Sequence, residues 1–150
     1  MIPAHDSGSR TYRFSSWLKA RFPYRVFKIG RDAGFTCPNI DGRAGVGGCT
    51  FCLNESFSPN SRRGTGSVAE QMRAGMEFYR KRYRAEKFIA YFQAYSNTDG
   101  DVARLKALYD EAVSFPDVVG LAIGTRPDCV PEPVLDLVSS YADRLDVWIE

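Results

Sequence analysis

The chain has 150 residues, 44% of them hydrophobic and 25% charged, with a formal net charge of +2. This composition fits one globular domain and excludes a disordered or low-complexity chain. Near-neutrality removes any global attraction to nucleic acid or a membrane surface, and the local cation clusters from Arg10 to Lys28 and from Arg80 to Lys87 read as solvated faces.

No apolar run approaches the ~20 residues that span a bilayer. Met1-Ile-Pro-Ala-His-Asp6 lacks the basic and apolar regions of a signal peptide, so a cytoplasmic protein without membrane contact is expected. Residues 1–24 read as an N-terminal extension, polar and basic, with scattered Tyr12, Phe14, Trp17 and Phe22 and a short helix over Ser15 to Arg21. From Tyr24 the alternation through Gly30 predicts a strand, and a glycine-rich loop follows it.

Ser67-Val-Ala-Glu70 has the form of a capping box. Behind it Val68, Met72, Met76, Tyr79 and Tyr83 recur at helical steps and predict an amphipathic helix to about Arg84. Phe88 to Phe92 predicts a buried strand, and a second helix over Asp101 to Phe115 is expected to bury Val102, Leu105, Leu108, Ala112 and Phe115. The continuous apolar run Val118 to Gly124 suits a parallel strand covered on both faces. A third helix, begun at Pro131 and Pro133, is expected to bury Leu135, Val138, Tyr141 and Leu145, and Asp146 to Glu150 starts a fourth strand.

Strands alternating with helices predict βαβ units and a parallel sheet or barrel. Four strands cannot close a barrel of about eight. Residues 25–150 are therefore expected to be the first part of a longer domain, and the fragment alone to be inactive if the missing strands enclose the site.

In a reducing compartment four cysteines are metal ligands or free thiols rather than disulfides. His5 is the one histidine, so a metal site must rely on sulfur. Cys37, Cys49 and Cys52 share the glycine-rich loop directly after the first strand. Cys49-Thr-Phe-Cys52 alone has the spacing of zinc ribbons and thioredoxin-like redox sites. A zinc-binding structural module would need Cys129, 77 residues beyond Cys52, as its fourth ligand. Three thiolates on one loop favour an iron-sulfur cluster with an open coordination position.

Four ordered blocks carry a more specific resemblance. They are Val26-Phe-Lys-Ile-Gly-Arg-Asp-Ala-Gly-Phe-Thr-Cys-Pro-Asn-Ile-Asp-Gly42, Gly47-Gly-Cys-Thr-Phe-Cys52, Tyr91-Phe-Gln-Ala-Tyr-Ser-Asn-Thr98 and Gly120-Leu-Ala-Ile-Gly-Thr-Arg-Pro-Asp-Cys-Val130. Together they resemble the YhcC-type family of radical S-adenosylmethionine (SAM) proteins, which is similar to the Elongator catalytic subunit group. The resemblance covers residues 24–150 and implies an α/β fold, the N-terminal portion of a partial (β/α)6 TIM-like barrel. It implies a [4Fe-4S] cluster on Cys37, Cys49 and Cys52, whose open iron binds the amino and carboxylate groups of SAM. Reductive cleavage of SAM to a 5′-deoxyadenosyl radical would follow, with a one-electron donor such as flavodoxin or ferredoxin and, by similarity to the Elongator group, an RNA substrate.

Within the resemblance Phe51 would pack near adenine. The commonest radical SAM pattern sets its first two cysteines closer than Cys37 and Cys49, which eleven residues separate. Where many relatives carry a Gly-Gly-Glu-like turn for the SAM amino group, this chain has Gln93 to Thr98, leaving Gln93, Tyr95 and Asn97 as candidates. Thr125 and Arg126 end the third strand, at the face where barrels place ligands. Arg126 has two open readings, a fork on the SAM carboxylate or a pair with Asp128. Glu150 is expected to face the same cavity, and Cys129 to be a small buried residue.

Overall fold

A computed structural model of the protein describes residues 10–53, 56 and 66–150. The expectations for His5 and the first residues of the extension lie outside these. Helix α1 (Phe14–Arg21) precedes strand β1 (Val26–Arg31), followed by α2 (Val68–Tyr83), β2 (Lys87–Phe92), α3 (Val102–Val113) and β3 (Val118–Ile123). A 3₁₀ turn (Pro127–Cys129), α4 (Glu132–Ser139) and β4 (Asp146–Ile149) complete the order. No helix among the described residues is long and apolar enough to cross a membrane.

The four strands form one parallel sheet in the order β1-β2-β3-β4, with Phe27 beside Phe88, Ala90 beside Leu121 and Leu121 beside Val147. Each strand lies next to its successor, so these strands contain no reversal of order of the kind that defines a doubly wound sheet. Period-two alternation assigns the two faces. Ile29, Phe88, Ala90, Phe92, Leu121 and Ile123 join Met72 and Met76 of α2, Leu105 and Tyr109 of α3, and Val134 and Val138 of α4 in one core. Val26, Ile89 and Ala122 form a smaller cluster with Leu18, Phe22, Tyr24, Tyr91 and Trp148 on the other face. There Trp17 of α1 meets Trp148 edge to face at 5.2 Å, and Arg21 forks onto the Asp146 carboxylate. Helix α1 thus covers part of this face, with contacts to Trp148 and Asp146 of β4.

Local signals explain the helix boundaries. The capping box forms as expected: Ser67 Oγ accepts from the Glu70 amide at 3.2 Å and Glu70 Oε2 accepts from the Ser67 amide at 2.7 Å. Asp101 caps α3 by accepting from the amides of Ala103 and Arg104. At Gly75 the second helix approaches β1 so closely that a Cβ would overlap Ile29 and the buried Arg31 guanidinium, which makes glycine the residue that fits there.

Three apolar faces differ from expectation. In α2, Val68, Met72 and Met76 are buried, while Tyr83 is at the exposed end, stacked on Phe27. In α3, Tyr109 and Val113 join Leu105 and Ala112 inside, and Val102, Leu108 and Phe115 pack only at the edge. The last helix stops at Ser139 and buries Val134, Leu137 and Val138, with Tyr141 just beyond it, while Leu135 is 46% exposed. Positions 134, 137, 138 and 141 are the i, i+3, i+4 and i+7 places of one helical stripe, so Val138 and Tyr141 are buried as expected while Val134 and Leu137 take the place of Leu135.

Candidate cluster and cofactor site

The cysteine loop is built by backbone turns. Cys37 O accepts from the amides of Ile40 (2.7 Å) and Asp41 (3.1 Å), Asn39 O accepts from Gly48 N (2.9 Å), and Cys49 O accepts from Cys52 N (3.0 Å). Gly47 and Gly48 both have φ near +83°, a left-handed conformation that residues with a Cβ rarely adopt, and it brings the chain round to Cys49. Two ties hold the loop to the strand ends. Thr36 O accepts from Ser96 N at 3.1 Å, and the Arg43 guanidinium bridges Asp41 in the loop to Asp99 after β2.

The loop and the C-terminal ends of the strands enclose a cavity of about 530 Å³. The loop contributes Cys37, Asn39, Cys49, Phe51 and Cys52; β2 and its exit contribute Tyr91, Gln93, Tyr95 and Ser96; Thr125 and Arg126 follow β3, and Glu150 follows β4. Every expected site residue except Asn97 therefore lines one cavity. A larger groove of about 970 Å³ between α1, β1 and Tyr79 contains none of them, whereas all three thiols of the loop line the smaller cavity.

The sulfurs have polar neighbours. Asn39 Nδ2 donates to Cys49 Sγ at 3.0 Å, and Arg126 Nη1 is 3.9 Å from Cys37 Sγ. Arg126 also forks onto Asp128 through Nε (2.8 Å) and Nη2 (2.6 Å), and these contacts with carboxylate and thiol raise its pKa. The pair with Asp128 is formed, and Arg126 also lines the cavity. Among the described residues no three His, Cys, Asp or Glu side chains converge tightly enough to hold one metal ion. A single zinc ion needs each thiolate about 2.3 Å away. Cys129 is buried, does not line the cavity, and has its pKa pushed up first by desolvation. Cys37, Cys49 and Cys52 all line this cavity, and thiolates are the donor type that iron-sulfur clusters take.

Asn97 departs from its expected place. It is fully buried, and its Nδ2 donates to Ala94 O (2.8 Å), Tyr95 O (3.2 Å) and Gly124 O (2.9 Å), locking the exit of β2 to that of β3 behind the cavity wall. Phe51 is 88% exposed at the cavity mouth. Sequence reasoning missed three further features. Lys28 pairs with Glu150 and lies over the Tyr91 ring at 4.3 Å, and the Tyr91 phenol is pushed up to about 12 by burial, with Glu150 adding to the effect. Thr98, buried, bonds both Thr125 Oγ1 (2.6 Å) and Cys129 O (2.5 Å). Asn39 became visible as a thiol partner only once the turn closed; its sole sequence signal was its place two residues after Cys37.

No family profile matches the chain, and no solved structure matches it. The chain is similar to Protein YhcC of Escherichia coli (strain K12), with 44% identity over 138 residues, 91% of this chain and 43% of that protein. It is 34% identical over 149 residues to Uncharacterized protein YtqA of Bacillus subtilis (99% of this chain, 46% of that protein). It is 33% identical over 149 residues to Uncharacterized protein MJ0486 of Methanocaldococcus jannaschii (97% of this chain, 45% of that protein). The chain spans less than half the length of these curated relatives.

Proposed function

We propose that the chain is the cluster- and SAM-binding portion of a radical SAM protein. The observation that carries this reading is the meeting of Cys37, Cys49 and Cys52 with the exits of β2, β3 and β4 in one cavity. That is the edge of a parallel sheet where α/β folds place ligands. Sequential strand order, with the crossover helices contributing to one core, supports reading the sheet as an arc of a partial (β/α)6 barrel.

In this reading Cys37, Cys49 and Cys52 hold a [4Fe-4S] cluster. With one electron from a donor such as flavodoxin or ferredoxin, a cluster held there would supply reductive cleavage of SAM to methionine and a 5′-deoxyadenosyl radical able to take hydrogen from a substrate. The chain's own residues prepare the site. Arg126 beside Cys37 and the Asn39 amide on Cys49 stabilise negative charge on sulfur, where hydrogen bonds also tune cluster potential. Tyr91, Gln93, Tyr95 and Thr125 form the opposite wall, and Phe51 at the mouth offers an apolar face for adenine. The RNA substrate and the identity of the electron donor rest on the family resemblance alone. A four-cysteine zinc module lacks Cys129 at this cavity.

The test is anaerobic incubation of the full-length protein with iron and sulfide, followed by metal and sulfide analysis. Roughly four iron and four acid-labile sulfide per chain are expected, with a brown colour that bleaches on dithionite reduction. Stoichiometric zinc without sulfide would overturn the reading.

A further inference from the structure

We propose that Thr125 receives the amino group of SAM, in an acceptor role that Thr98 imposes on it; this rests on the radical SAM reading of the cavity. A hydroxyl has one proton to donate and two lone pairs to accept with. Thr98 Oγ1 is 2.5 Å from the carbonyl oxygen of Cys129, which has no proton, so the Thr98 proton is committed there. Thr125 Oγ1 is 2.6 Å from Thr98 Oγ1, and that bond therefore takes the proton of Thr125. Thr98 is buried, so water does not compete for the arrangement. Any hydrogen bond Thr125 then makes to a ligand in the cavity it lines is one it accepts.

The other candidates fit this role less well. Asn97 keeps a buried, unpartnered acceptor in its Oδ1, but the residue does not line the cavity and its Nδ2 ties it to the carbonyls behind the wall. Gln93 and Tyr95 each carry donors and acceptors and so do not select for a donor. Glu150 already accepts from Lys28 and Tyr91. An acceptor fixed by a buried relay discriminates because it offers nothing to a group that can only accept. SAM presents N–H donors whether its amino group is charged or neutral, and Thr125 is matched to them.

The test uses the full-length, cluster-loaded protein and anaerobic calorimetric titration with two probes. These are SAM and 5′-methylthioadenosine, which keeps the adenosine and lacks the amino acid. Thr125→Val is expected to raise the Kd for SAM about two- to tenfold, the worth of one neutral hydrogen bond, and to leave the Kd for 5′-methylthioadenosine unchanged. Thr125→Ser keeps the hydroxyl and is expected to bind SAM like the wild type. Thr98→Val leaves Thr125 able to accept but no longer fixed as an acceptor, so it is expected to raise the Kd for SAM by less than Thr125→Val does, without altering a cavity residue; a wild-type SAM Kd in Thr98→Val would overturn the relay, which keeps the proposal testable if Thr125→Val folds poorly. Equal weakening of both probes, or wild-type SAM affinity in Thr125→Val, overturns the role of Thr125 while a SAM-binding wild type leaves the radical SAM reading standing. A cluster-loaded wild type that binds no SAM overturns both.

Discussion

Cys37→Ala, Cys49→Ala and Cys52→Ala are each expected to abolish retention of a four-iron cluster in the full-length protein, whereas Cys129→Ala retains it. Three thiolates are the whole protein ligand set in this reading, so removing one leaves two of the four irons without protein ligands. The three lie around one cavity, and Cys129 lies outside it with its thiol buried. Cys129→Ala removes only a small buried side chain, so its cost falls on stability. The measurement is iron and acid-labile sulfide per chain, with visible absorbance, for all four variants prepared identically. Loss in Cys129→Ala equal to loss in the other three would instead favour a four-cysteine site.

The second large effect is expected at Asn97. Its side chain is fully buried and gives its amide protons to a cage of carbonyl oxygens from Ala94, Tyr95 and Gly124. Asn97→Asp keeps the shape and replaces the donor with an acceptor, so a carboxylate would face carbonyl oxygens without a proton between them. A buried, unpaired charge of this kind costs about 3–5 kcal/mol. The carboxyl is expected to answer by holding its proton, which raises its folded-state pKa above the unfolded value of ~3.9. The folded state then binds more protons than the unfolded state, so the variant's stability falls as pH rises through that raised pKa and recovers at lower pH. Urea unfolding should show a lower midpoint at unchanged slope, with the deficit shrinking as the pH is lowered. A midpoint equal to that of the wild type across pH would show that the cage does not hold the strand exits together.

The two predictions rest on residues of unequal legibility. That Cys37, Cys49 and Cys52 meet at one cavity was readable because they share one glycine-rich loop, and Gly47 and Gly48 adopt the left-handed backbone that turns it. The Ser67–Glu70 capping box was readable because both of its hydrogen bonds are local. Asn97 was not, since it follows a strand among polar residues and only the approach of Gly124 from β3 decides that its amide turns inward. Leu135 failed for a related reason. The expected and observed stripes of α4 share Val138 and Tyr141, and packing into the common core turned the helix so that Val134 and Leu137 are buried in place of Leu135. The Thr98–Thr125 relay joins residues 27 apart in sequence, and neither hydroxyl signals its partner alone.

Detection of 5′-deoxyadenosine tests the central claim most directly. The full-length protein, loaded with iron and sulfide and reduced with dithionite, is incubated anaerobically with SAM and the products are separated by chromatography. Formation of 5′-deoxyadenosine and methionine that is lost in Cys52→Ala is the predicted result; a cluster-loaded, SAM-binding protein that forms no 5′-deoxyadenosine would contradict it.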